Sequence, residues 1–188
     1  MSNPTKIMII RHAEKPEQSG FPHAVTMEGE KDPDLLIVKG WHRAGALVCF
    51  FAPQYGNLQN SQLAKPQFLY ASASGKHHKK SRRPMATIMP LSSKLGLKVN
   101  RKYFIGEHKS LLQSVLKCEG VVLISWEHHD IPLIANHILG DSETVPQKWP
   151  GDRFDIVWVF EWDPTLAAYT FSQVPQNLLA GDLETVIT

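Results

Sequence analysis

The chain has 188 residues, 43% hydrophobic and 20% charged, which is enough for one ordinary core and short for two, so a single domain over residues 1–188 is expected. Twenty basic and 18 acidic residues leave a net charge of +2, so the overall balance selects neither nucleic acid nor a membrane surface, and any electrostatic selectivity must be local. No run approaches the about eighteen apolar residues of a membrane span, no apolar segment follows the polar start Met1 to Thr5, and Cys49 and Cys118 lack zinc or disulfide spacing, so a reducing cytoplasm is the expected setting.

In chain order, Ile7-Met8-Ile9-Ile10 reads as a strand over 6–11 that is covered on both faces and delivers Arg11-His12-Ala13-Glu14-Lys15 at its end. Past the carboxyl ends of such strands α/β proteins build their sites. Arg offers a fixed fork of donors for phosphate oxygens, and a neutral imidazole beside it can attack phosphorus and carry the phosphoryl group. The plainer reading is a capping Arg and a surface His. A loop through Lys31-Asp32-Pro33 leads to a helix over 36–51, in which Ala44, Leu47, Val48 and Phe51 recur at helical spacing. Phe68 to Ala71 reads as the second strand and runs into Ser72, Ser74 and Gly75.

Five Lys or Arg fall in the eight residues from Lys76 to Arg83. Such a run is a solvated loop, a nucleic-acid patch or the rim of an anion pocket. Position favours the rim for Arg83, which opens a helix over 83–95 that has Pro84 in its first turn and Gly96 as its stop. A short strand over 97–103 and a helix over 109–116 follow, then the apolar run Val121 to Ser125 and a helix over 131–138. The tail segments 154–162 and 169–174, joined by Asp163-Pro164, predict an antiparallel hairpin. Strands alternating with helices predict a three-layer α/β/α sandwich, mostly parallel, with that hairpin at the sheet edge.

The third strand ends in Trp126-Glu127-His128-His129-Asp130, polar groups that need partners if buried. Neighbours on extended backbone point to opposite sides, so His128 and His129 are not expected to share an ion, and no metal is expected.

Three apolar strands thus deliver Arg11-His12, Arg83 and His128. In these motifs the chain resembles the histidine phosphatase superfamily, the phosphoglycerate mutase-like group, and its branch 1 in particular. Ile9-Ile10-Arg11-His12-Ala13-Glu14 is similar to the family's strand-Arg-His-Gly opening, with Ala13 in place of Gly. Arg83-Pro84-Met85-Ala86-Thr87 through Leu95-Gly96-Leu97 is similar to its second basic element, and Gly40-Trp41-His42-Arg43-Ala44 to the start of its first helix. The likeness covers roughly residues 6 to 140 and departs at the third motif, where the family reads Ser-His-Gly or Gly-His-Ser.

The resemblance implies a metal-independent phosphatase without cofactor, in which His12 becomes phosphohistidine and water releases phosphate. Arg11, Arg83 and a third-strand His would hold the phosphoryl oxygens; the His is His128, with His129 as its rival, and Arg82 is the rival of Arg83. The general acid is Glu107 or Asp130, while Glu14 orients the loop. About 45 residues separate Arg83 from His128, too few for the lid insertion of mutases, so an open pocket and phosphatase rather than mutase activity are implied. The substrate would be a phosphorylated small molecule or a phosphoprotein, contacted by Lys15 and by the basic run, which would prefer polyanions. Two other readings stand beside this one: a phosphate-ligand-binding protein of the same fold with little or no turnover, and, with less support, a nucleic-acid-binding protein. The chain is expected to act as a monomer or homodimer.

Overall fold

Alternate residues of the first strand serve opposite faces of one sheet, and this divides the molecule into layers. Met8 and Ile10 pack on one side while Ile7 and Ile9 pack on the other, each within a separate buried apolar cluster. The computed structural model describes residues 3–75 and 81–188. Its elements in order are β1 (Lys6–Arg11), β2 (Ala24–Val25), β3 (Leu36–Ile37), α1 (Val38–Phe51), β4 (Phe68–Ala71) and α2 (Arg83–Leu95). There follow β5 (Val99–Asn100), α3 (His108–Val115), β6 (Val121–Trp126), α4 (Ile131–Leu139), β7 (Ile156–Asp163) and β8 (Ala168–Pro175).

The main sheet runs β5-β4-β6-β1-β7-β8. The first four strands are mutually parallel, and β7 is antiparallel to both β1 and β8. Leu47, Phe50 and Phe51 of α1 join Ile88 and Leu91 of α2 over Met8 and Ile10. Leu111, Leu112 and Val115 of α3 join Ile131 and Ile134 of α4 over Ile7 and Ile9. The result is the three-layer, mostly parallel α/β/α arrangement with an antiparallel C-terminal hairpin that the alternation of signals predicts. Among the described residues no helix is long and apolar enough to cross a membrane.

Register is what concerns function. Arg11 pairs with Trp126, and Ala71 pairs with Ser125, so β1, β4 and β6 end side by side. Whatever follows those strands is brought to one edge of the sheet. Helix α2 starts at that edge, and its far end is closed by Gly96, whose φ of 66° suits glycine and lets its N–H reach Ser92 O and Ser93 O.

Two elements differ from the sequence reading. The helix expected from residue 36 begins at Val38, because Leu36 and Ile37 pair with Ala24 and Val25 as a two-stranded ribbon. The strand expected over 97–103 is confined to Val99–Asn100, since Asn100 Oδ1 turns back to accept from Lys102 N at 3.2 Å.

Candidate active site

Arg11 ends β1 with its side chain 1% exposed. Its Nη1 donates to the carbonyls of Pro150 (3.2 Å), Gly151 (2.8 Å) and Arg153 (3.0 Å), and its guanidinium carbon lies 3.9 Å over the Phe154 ring. Nε and Nη2 are buried and meet no acceptor among the described residues. Burial lowers its pKa to about 10, so the group is still cationic at neutral pH. Buried charged donors without a partner are costly, and an anion placed against them removes that cost.

His12 is 3% exposed, and its backbone N donates to Trp126 O at 3.0 Å across the junction with β6. Its Nδ1 lies 2.8 Å from Ala13 O. A carbonyl can only accept, so the ring proton sits on Nδ1 and the lone pair on Nε2. Burial, then the neighbouring Arg11 charge, lowers the pKa of the ring to about 3. The imidazole is therefore neutral, with one defined nucleophilic nitrogen.

Ala13 stands where the resembled family has glycine. It is fully buried and is not among the positive-φ residues, so alanine is accommodated without strain. Its N–H donates to Thr87 Oγ1 (2.8 Å), and that hydroxyl donates to Arg83 O (2.8 Å), which couples the residue after His12 to the first turn of α2. Arg83 anchors its Nε on Leu35 O (3.1 Å) and its Nη2 on Pro33 O (2.7 Å). The adjacent Arg82 is paired with Asp32 instead and lines a different recess, beside Met85 and Trp41.

A cavity of about 280 Å³ collects His12, Lys15, Ser72, Arg83, Glu127, His128 and His129. Lys15 is shared with a wider recess of about 560 Å³ lined by Pro16, Glu17, Asp152 and Phe154. Desolvation first, then Arg83 and Arg11, lowers the pKa of Lys15.

The turn after β6 corrects one sequence expectation. Residues 127–130 are not extended, because Asp130 N bonds back to Glu127 O at 3.1 Å. His128 and His129 consequently lie on the same side, with ring centroids 3.9 Å apart. His129 has 74% of its side chain exposed, against 12% for His128. His128 Nδ1 lies 3.1 Å from Glu127 Oε1, and His129 Nε2 lies 3.9 Å from the same oxygen. Among the described residues this is the group of His, Cys, Asp or Glu whose ligand atoms come within 4.8 Å of one another. Three donors from one turn fall short of a four-ligand structural zinc set.

The two proposed acids lie elsewhere. Glu107 is exposed, does not line the His12 cavity, and accepts from Phe104 N at 2.7 Å through Oε2. Asp130 is buried beneath the turn, where its Oδ2 accepts from Gly106 N (2.9 Å) and Trp126 Nε1 (3.2 Å) and lies 2.9 Å from His108 Nε2. Desolvation would raise its pKa, but these donors outweigh it and the net shift is downward. The carboxylate that does face the cavity, Glu127, was visible in the sequence only as one of two carboxylates in a strand-end cluster. Of the basic run, residues 76–80 and their part in substrate selection lie outside the described residues.

No family model and no curated protein sequence matches the chain. Solved structures do. A mycobacterial glucosyl-3-phosphoglycerate phosphatase is 12% identical, with 94% of this chain and 100% of that one covered and a TM-score of 0.55. A phosphoserine phosphatase from Entamoeba histolytica is 11% identical over 89% of this chain and 94% of that one, with a TM-score of 0.53. A protein assigned as a phosphohistidine phosphatase from Agrobacterium tumefaciens is 16% identical over 90% of this chain and 96% of that one, at 0.50. These likenesses show that the chain has the fold of those phosphatases, in agreement with the fold that the resemblance carried by the motifs implies.

Proposed function

We propose that the chain is a metal-independent phosphatase that hydrolyses a phosphomonoester, on a small molecule or a protein, through a phosphohistidine at His12 Nε2. One observation carries the reading: a buried neutral imidazole with its lone pair on Nε2 lies in the field of the Arg11 guanidinium, whose Nε and Nη2 have no hydrogen-bond partner among the described residues. In the proposed reaction Nε2 attacks phosphorus while Nδ1–H remains on Ala13 O. Arg11, Arg83 and His128 hold the equatorial oxygens and the charge that develops on them, which supplies without a metal what electrostatic stabilisation requires. The attached phosphoryl group leaves the ring cationic, a good leaving group for the water that follows. Lys15, at the mouth of the chamber, would contact the substrate as it enters from the wider recess.

The neighbours named as phosphatases support this reading through the shared fold alone. Denaturing alkaline quenching during turnover of radiolabelled phosphate donors is the direct test. The expected outcome is acid-labile label on His12, hydrolysis indifferent to EDTA, and loss of both label and hydrolysis in His12→Ala. Phosphate-ligand binding without any turnover by the unsubstituted chain would favour a binding protein instead.

A further inference from the structure

We infer that Glu127 is the proton shuttle of this reaction, giving its proton to the leaving oxygen when His12 is phosphorylated and taking one from water when phosphohistidine is hydrolysed. The inference rests on the phosphatase reading above. A histidine nucleophile leaves one need unmet, since an alkoxide expelled from phosphorus needs a proton and His12 has none to give: Nε2 makes the new bond, and Nδ1–H stays on Ala13 O.

Among the described residues, Glu127 is the one carboxylate lining the chamber that holds His12. Glu107 lies outside it, and Asp130 is buried under several donors that favour its ionised form. Glu127 follows β6 directly, and β6 lies parallel beside β1, so the two strand ends carry acid and nucleophile to the same edge. Its field is felt at Arg11, His12 and Lys15, which places the carboxyl among the phosphate-holding groups.

Those same neighbours explain how one carboxyl serves both steps. Lys15 and Arg83 line the chamber together with Glu127, and His128 Nδ1 lies 3.1 Å from its Oε1. A phosphate dianion seated on Arg11, Arg83 and His128 engages those cations and sets a like charge beside Glu127, so a proton taken up with the substrate relieves the repulsion. That proton is the one the leaving oxygen needs. In the first step the His12 Nε2–P bond forms, the P–O bond to the leaving group breaks, and the Glu127 proton goes to that oxygen. In the second, water oxygen bonds to phosphorus, its proton goes to Glu127, and the N–P bond breaks with its electron pair returning to Nε2. Phosphomonoester and water become alcohol and phosphate, with the enzyme restored.

The test compares Glu127→Gln with the unsubstituted chain on p-nitrophenyl phosphate, whose phenolate departs unaided, and on an alkyl phosphate, whose alkoxide does not. The expected result is a fall in kcat/KM of about 100-fold or more on the alkyl ester, the scale of general acid catalysis, against less than about tenfold on the aryl ester. On the aryl ester a burst of p-nitrophenol and accumulation of labelled His12 are also expected, because the water step has lost its base. Glu127→Ala should regain part of the lost rate with added formate. Equal losses on both esters, or no loss on either, overturn the role of Glu127 while leaving the phosphohistidine route intact. Absence of turnover and of label in the unsubstituted chain overturns both.

Discussion

Arg43 and Asp182 meet through two parallel contacts, Nη2 to Oδ1 at 2.6 Å and Nη1 to Oδ2 at 3.0 Å, although 139 residues separate them. The same guanidinium grips Glu14 with Nε and Nη2 at 2.8 to 3.1 Å, and Gln176 Oε1 at 3.0 Å. One buried side chain of α1 therefore ties the C-terminal tail to the segment two residues beyond the candidate nucleophile. Asp182 in turn accepts from Leu178 N and Leu179 N, so the tail is folded around the pair. Arg43→Met removes the shared cation and leaves Glu14 and Asp182 buried without it. The expected loss is about 3–5 kcal/mol in chemical unfolding, the cost of stranding a buried charge. An unchanged midpoint would mean that both carboxylates escape to water when the Arg is gone.

Acid should unfold the protein partly through His12. Its ring ionises at about 3 in the folded chain, through burial and then Arg11, against 6.5 for an unperturbed imidazole. Between those values the unfolded chain holds a proton that the folded chain does not. Stability is therefore fully present above about pH 6.5 and is lost as the pH falls toward 3, at up to about 1.4 kcal/mol per pH unit. His12→Asn cannot take up that proton. The stability gap between the two proteins should change between pH 7 and pH 4.5 in favour of the variant, measured by urea unfolding at both. Parallel curves would contradict a buried neutral imidazole.

What the sequence made legible follows from how local its causes are. The continuous apolar runs of β1 and β6 and the Pro84 and Gly96 punctuation of α2 mark their own limits, and Arg11, His12 and Arg83 sit at those limits. The pairing of Leu36 with Val25 and of Arg43 with Asp182 depends on partners distant in the chain, which no periodicity announces. The turn at 127–130 differs from the sequence expectation for a related reason: strand alternation does not extend past the end of β6, so His128 and His129 lie on the same side rather than on opposite ones. That Glu127 lines one cavity with His12 follows from the pairing of β1 with β6, which no local pattern announces.

Two glycines in one helix allow a controlled measurement of packing around the site. A Cβ on Gly40 would stand 2.5 Å from Glu14 O and 3.0 Å from Glu14 N, and that carbonyl already accepts from Ile37 N at 3.1 Å. At Gly45, by contrast, a Cβ meets nothing within 4 Å. Alanine should gain up to about 1 kcal/mol of helix preference at either position. At Gly45 nothing opposes the gain, so Gly45→Ala should raise the unfolding midpoint. At Gly40 the obstacle is backbone, which cannot swing aside as a side chain would, and a net loss of about 1–3 kcal/mol is expected. Because Glu14 would have to shift, Gly40→Ala should also lower kcat/KM. Equal behaviour of the two variants in thermal and kinetic assays would refute the close approach.

The Arg11 donors that have no partner among the described residues make the strongest prediction about ligands. Nη1 is committed to three carbonyls, so the free edge, Nε with Nη2, is fixed in place before any ligand arrives. A fork held in this way suits two oxygens of a tetrahedral anion and binds without first being ordered. Inorganic phosphate, the expected product, should therefore stabilise the protein by about 2.7 kcal/mol at a hundredfold excess over its Kd, seen as a rise in unfolding temperature. Arg11→Lys keeps a positive charge but presents a single point of donors, which cannot satisfy the carbonyls and the anion together. Its Kd for phosphate should rise at least about tenfold, with kcat/KM falling in step. A lysine variant with unaltered phosphate affinity in calorimetry would show that the anion rests on Arg83 and His128 without Arg11.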